Sequence, residues 1–136
     1  MTTTTQPYDT SYEPAAPVIS IGLSPSGSAT PRQHLTALID SGADASMFPT
    51  ATLLAAGARV VEQRQMRGLI GNAITVNLYL TAVHIGTHPN GHPIHTIHGI
   101  RAIGIPTTDE PIIGRDVLNQ LETLLNGPAH ETTILP

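Results

Sequence analysis

Leu38-Ile39-Asp40-Ser41-Gly42-Ala43-Asp44 is the stretch on which the reading of this sequence turns. The apolar run His34-Leu35-Thr36-Ala37-Leu38-Ile39 reads as a β-strand and stops abruptly at a carboxylate, a small hydroxyl and a glycine. That order sets an acidic side chain where a buried strand turns out of its sheet. Gly42 permits a positive φ or a close approach by another segment, and the Ser41 hydroxyl can tie the turn down. Asp, Ser and Gly are also favoured in any β-turn. The tripeptide alone therefore leaves a plain turn and a reactive carboxylate as alternatives.

Outward from this point, apolar stretches are short and broken by Gly, Pro, Ser, Thr and Asn at intervals of about ten, the pattern of an all-β domain. Val18 to Leu23 predicts a strand. Gln63 to Ile85 predicts a hairpin with Gly68-Leu69-Ile70-Gly71-Asn72 at its tip, where Ile74, Val76, Leu78 and Leu80 alternate with Thr75, Asn77 and Tyr79. A second hairpin turns at His88-Pro89-Asn90-Gly91, and Ile94 to Ile105 returns. Short helices are expected over Pro49 to Gly57, with Gly57 as the stop, and over Arg115 to Leu121. Leu124-Leu125-Asn126-Gly127-Pro128 and Thr133-Ile134-Leu135 read as a last hairpin around Asn-Gly. Residues 1–16, polar and proline-punctuated, bury too little to offset ordering entropy and are expected to form a disordered arm before a domain at 17–136.

Composition removes several function classes. The 136 residues suit one domain, and they include no cysteine, which excludes disulfides, thiol nucleophiles and Cys-ligated metals. All six basic residues are arginine, so no Walker-A lysine or Schiff base is available. Ten acidic residues bring the net charge to -4; with only Tyr8, Tyr12, Phe48 and Tyr79 as aromatics, no nucleic-acid partner is expected. No apolar run approaches the roughly 18 residues of a membrane span, and Met1 to Gln6 lacks the features of a secretory signal. A soluble, cytoplasmic protein is expected. His88, His92, His95 and His98 crowd together, and zinc or copper would accept imidazoles. In a strand, however, His95 and His98 face opposite ways, and the other two sit in a turn, so no metal is expected. Ser41 has no G-x-S-x-G around it, and His34 lies about 20 Å along the strand from Asp40, too far to act with it.

A second signature decides between the alternatives at Asp40. Pro111-Ile112-Ile113-Gly114-Arg115-Asp116-Val117-Leu118 is an apolar pair and a glycine opening a helix that begins with arginine, and Gly114 lies 74 residues beyond Asp40. With both motifs the sequence resembles the single-lobe, retropepsin-like aspartic proteases. That family carries an Asp-[Ser/Thr]-Gly-Ala loop and a later apolar-apolar-Gly-Arg-[Asp/Asn] helix, with a glycine-rich flap hairpin between them. The resemblance spans about Pro17 to Leu135, and the helix-plus-hairpin tail looks more like bacterial members than viral ones.

The resemblance implies a closed, pepsin-like single-lobe barrel with one or two short helices, and peptide hydrolysis without a cofactor. It assigns the catalytic loop to Asp40, Ser41 and Gly42, with Ser41 interlocking with its counterpart. Ala43, Asp44, Gly68, Leu69, Ile70, Gly71 and Ile112 would meet substrate, and Arg115 would support the loop through a bidentate, partly buried pair with Asp44. The chemistry needs two carboxylates sharing one proton. No second Asp-[Ser/Thr]-Gly exists: Asp9, Asp44, Asp109 and Asp116 all have the wrong neighbours. A homodimer with one Asp40 from each copy is therefore required, and Thr132 to Leu135 is expected to pair with the partner's equivalent strand. Apolar candidates along the cleft favour extended, apolar-rich peptides. The rival reading is the same fold used as a non-catalytic peptide-binding or dimerisation module.

Overall fold

The computed structural model describes residues 2–67 and 71–136. In chain order the elements are β1 (Thr4–Pro7), β2 (Val18–Ser24), β3 (Gln33–Ile39), β4 (Met47–Pro49), α1 (Thr50–Ala55), β5 (Arg59–Arg67), β6 (Ala73–Thr87), β7 (Pro93–Ile105), β8 (Ile112–Ile113), α2 (Arg115–Leu118), β9 (Thr123–Asn126) and β10 (Glu131–Ile134). The expected all-β class holds, and among the described residues no helix is long and apolar enough to cross a membrane.

Seven strands form one sheet in the order β2-β3-β8-β4-β7-β6-β5, and β2 also pairs with β6. That extra pairing, Ile21 to Ser24 against Ile85 to Ala82, closes the sheet into a barrel. The long strand β6 makes the closure possible. One of its edges serves β7 over Leu78 to Thr87, while the other serves β5 as far as Leu80 and then β2. Before Leu78, β6 has only β5 beside it, so Gln63–Arg67 and Ala73–Asn77 project from the barrel as a two-stranded ribbon. This is the hairpin expected from the alternating apolar residues; its tip residues Gly68, Leu69 and Ile70 lie outside the described residues.

The barrel is filled by Ile19, Ile21, Leu23, Phe48, Val83 and Ile85, all 2% exposed or less. β2 is buried along nearly its whole length, Ser20 alone being exposed, because it is flanked by β3 on one edge and by β6 on the other. α1 sends Leu53 into the core and stops at Gly57, whose φ of 84° lets the amides of Gly57 and Ala58 cap the carbonyls of Leu54 and Leu53. α2 is shorter than its sequence suggests. Regular helix ends at Leu118, and three-residue turns from Val117 and Leu118 carry the chain to Leu121.

Two expectations are corrected at the chain ends. Within the segment read as a disordered arm, Thr4–Pro7 is a strand paired with β10, and Asp9 bridges Ala16. Its ordering is supplied by distant partners: β10 satisfies its backbone, Gln6 Oε1 accepts the Ser20 amide at 2.6 Å, and Thr4 sits against Gly86. The last strand is also not an open edge. β10 lies between β1 and β9 in a separate three-stranded sheet, so its backbone groups are already paired on both sides.

Candidate active site

β3 delivers Asp40 to a loop that is stitched from behind. β8 runs parallel to the end of β3, with Leu38 beside Ile112 and Ile39 beside Ile113. The Leu38 amide donates to the Pro111 carbonyl at 2.9 Å, and the Asp40 amide donates to that of Ile113 at 3.0 Å. On the far side of the loop the Arg115 amide donates to the Ala43 carbonyl at 2.9 Å. The two sequence signatures, 74 residues apart, are thus one structural unit.

Gly114 shows how close that contact is. A Cβ added there would lie 2.8 Å from the carbonyl carbon and oxygen of Ala45 and 2.9 Å from the Ala43 oxygen. Backbone on backbone leaves no flexible group to move aside, so only glycine fits. Its amide donates to Ser46 Oγ at 3.0 Å. Ser46, fully buried, in turn donates its hydroxyl to Asp116 Oδ1 at 2.7 Å, and its own amide donates to Asp116 Oδ2 at 3.0 Å. Asp116 thereby clamps the segment after the loop onto α2. This Ser46–Asp116 pair was not read as part of the site from sequence. The only signal was an acidic residue following Gly114-Arg115, and nothing in Ser46 itself pointed to it.

Arg115 and Asp44 do meet, Nη2 to Oδ1 at 2.5 Å, but not as the expected partly buried bidentate pair. The guanidinium forks instead: Nη1 donates to the Ser41 carbonyl at 2.7 Å. Asp44 has a side chain 91% exposed, which keeps the ion pair weak and leaves the grip on Ser41 as the better-defined contribution.

Against this fixed backing the front of the loop is open. Asp40 is half-buried, while Ser41 and Gly42 are exposed. Asp40 Oδ1 accepts the Gly42 amide at 2.9 Å, which orients the carboxylate. Among the described residues, no hydrogen bond reaches Asp40 Oδ2 or the Ser41 hydroxyl. The chain's other carboxylates near the loop are committed elsewhere, Asp44 to Arg115 and Asp116 to Ser46. A family profile described as retroviral aspartyl protease matches residues 13–126, most of the chain. The chain belongs to the retroviral aspartyl protease family. A search of curated proteins finds no match.

Within the family framework the remaining candidates fall as follows. Ile112 is half-buried in β8, beside Leu38 and opposite Met47, next to the Asp40 loop. Gly71, with a φ of 80°, enters the descending arm of the ribbon; Gly68, Leu69 and Ile70 fall outside the described residues. The crowded histidines are engaged separately. His88 and His92 close a turn, His95 Nε2 bonds the Leu135 carbonyl at 2.8 Å, and His98 Nδ1 accepts the Gly27 amide at 3.0 Å. Among the described residues no three metal-ligating side chains converge.

Proposed function

We propose that the protein is a homodimeric aspartic endopeptidase in which Asp40 of each copy supplies half of the catalytic pair. The supporting observation is the uneven state of the loop. Its rear is fixed by β8, Arg115 and the Ser46–Asp116 clamp, while among the described residues neither Asp40 Oδ2 nor the Ser41 hydroxyl has a hydrogen-bond partner. A loop held this way is complete only when a second one meets it. Two carboxylates brought within about 3 Å cannot both ionise, so the pair keeps one proton. The ionised member takes a proton from a water between them as its oxygen attacks the scissile carbonyl carbon. The protonated member donates to the carbonyl oxygen, giving a gem-diol. Return of a proton to the amide nitrogen then breaks the C–N bond. Ser41 of each copy bonds across the axis and holds the two loops in register.

Substrate lies extended beneath the β5–β6 ribbon, pairing with it as an added strand. Ala43 and Ile112 line the cleft, and Gly71 and Asp44 offer polar groups to the peptide backbone; Gly68, Leu69 and Ile70, expected to contribute, lie outside the described residues. With no cation among these, extended apolar-rich segments are the preferred substrates. Activity peaks at mildly acidic pH, where the pair retains its single proton. Asp40→Asn tests this reading: cleavage of a denatured apolar-rich protein is expected to fall by a factor of about 10² to 10⁴. Undiminished cleavage contradicts it, and retained peptide binding without any wild-type cleavage indicates a binding module.

A further inference from the structure

The face of the sheet that carries Asp40 can be followed strand by strand away from its loop. Directly opposed residues of neighbouring strands point to the same face. Leu38 lies beside Ile112, Ile112 beside Met47, Met47 beside Ile103, Ile103 beside Leu78, and Leu78 beside Glu62. Asp40 comes two positions after Leu38, where the alternation along β3 returns to that face. The row therefore starts at the Asp40 loop, crosses from β3 to β5 and is apolar until it reaches Glu62. There its character changes. Glu62 Oε2 accepts Arg64 Nε and Nη2 at 3.0 and 2.8 Å, and Oε1 accepts Arg101 Nη1 at 3.2 Å. Arg59 joins them: it and Arg101 stand on either side of Leu80, one on β5 and one on β7.

Three arginines against one glutamate make this end of the row positive, in a chain whose net charge is -4. The side chains of Arg64 and Arg101 are 55% and 60% exposed. Glu62 occupies three N–H groups of these two guanidiniums and leaves the others open, and among the described residues Arg59 has no ion pair. Glu62 thus orients the forks without neutralising them. Exposed pairs of this kind add little to stability. We infer that the cluster reads acidic residues of the substrate, several positions away from the bond that is cut. The inference rests on the homodimeric protease reading, because it takes the Asp40 loop as the point of cleavage. Five strand spacings of about 4.8 Å separate Leu38 from Glu62, about 24 Å along the sheet, which an extended peptide covers in about seven residues. A two-fold dimer sets one such cluster toward each end of the substrate. The favoured peptide is therefore apolar at its centre and acidic on both flanks. Guanidinium forks bind carboxylates bidentately, and their field draws an acidic segment to a protein whose net charge repels it.

The probes are peptides that share one apolar centre and are flanked on both sides by runs of glutamate, glutamine or arginine. At low ionic strength the wild type is expected to cleave the glutamate-flanked peptide with a kcat/KM about five- to tenfold above that of the glutamine-flanked one, and the arginine-flanked peptide more slowly than either. About 0.5 M salt is expected to erase the difference. Substituting Arg59→Gln, Arg64→Gln and Arg101→Gln together is expected to abolish the preference. Arg64→Glu with Arg101→Glu is expected to turn it toward the arginine-flanked peptide, a gain that damage to the fold cannot give. The wild-type ratio and its salt dependence decide the matter even where a variant fails to fold. Asp40-dependent cleavage that differs by less than about twofold among the peptides overturns the arginine subsite and leaves the protease reading standing; so does a preference that survives the triple substitution. If no peptide is cut in an Asp40-dependent way, binding of a labelled glutamate-flanked peptide is read by fluorescence anisotropy. Binding that the arginine substitutions abolish then keeps the acidic docking surface while the protease reading falls. Neither cleavage nor such binding overturns both.

Discussion

Removing the Ser46–Asp116 clamp yields a quantitative prediction, because every bond in it is resolved. Ser46→Ala deletes the hydroxyl that donates to Asp116 Oδ1 at 2.7 Å and accepts the buried Gly114 amide at 3.0 Å. The orphaned amide and the lost charge-assisted bond together cost about 2–3 kcal/mol. Asp116→Ala deletes acceptors for the Ser46 amide, the Ser46 hydroxyl and the Val117 amide, at 3.0, 2.7 and 3.0 Å. Asp116 is only half-buried, so water replaces part of this, and the expected cost is about 3 kcal/mol. The hydroxyl–carboxylate bond is common to both variants and is lost once in the double mutant. Its cost therefore falls short of the sum by about 1–2 kcal/mol. Urea unfolding of the four proteins measures this, with protomer concentration held fixed because dimerisation adds to apparent stability. Additivity within about 0.3 kcal/mol, or single losses below about 0.5 kcal/mol, would refute the idea that these residues act as one clamp.

Two further outcomes follow from single positions. Gly114→Ala places a Cβ within 2.9 Å of the Ala43 and Ala45 backbone, and is expected to cost about 3 kcal/mol or more and, on the proposed reading, to depress peptidase activity by displacing the Asp40 loop; an unchanged melting temperature contradicts this. His84 is 3% exposed, with Nε2 on Ser24 Oγ and Nδ1 on Thr96 Oγ1. Burial, assisted by the nearby His98 and His34, holds its pKa below the ordinary imidazole value. The unfolded chain then binds a proton that the folded chain refuses, so this site costs nothing well above about pH 6.5 and destabilises increasingly as pH falls below it. His84→Gln is expected to show a flatter loss of urea midpoint between about pH 7 and 5 than wild type; parallel curves contradict that assignment.

What was legible in the sequence was whatever is encoded locally. The strand ending at Asp40, the Gly57 stop of α1 and the alternation along Ile74 to Leu80 each carry their signal within a few residues, and each stands where it was read. Arg115 could be matched to Asp44, 71 positions away, only through the family resemblance, which implies that pairing. Contacts between remote segments left no such trace. Ser46 and Asp116 are 70 positions apart, and the hydroxyls of Thr5 and Thr133, 128 apart, meet only because β1 folds back onto β10. Thr4–Pro7 carries too little apolar surface to announce a strand; its order is conferred by backbone pairing and by Gln6, neither visible in composition. For the same reason nothing in the last strand's own residues marks β1 as its neighbour.

Subunit mixing tests the shared site most directly. Wild-type protein at fixed concentration is allowed to exchange subunits with a threefold excess of Asp40→Asn chain before peptide cleavage is measured. If each site takes one Asp40 from each of two copies, random pairing leaves about a quarter of the original activity, since only wild-type pairs retain both carboxylates. Activity that stays at its starting value after full exchange means that one chain suffices, and contradicts the paired-carboxylate site.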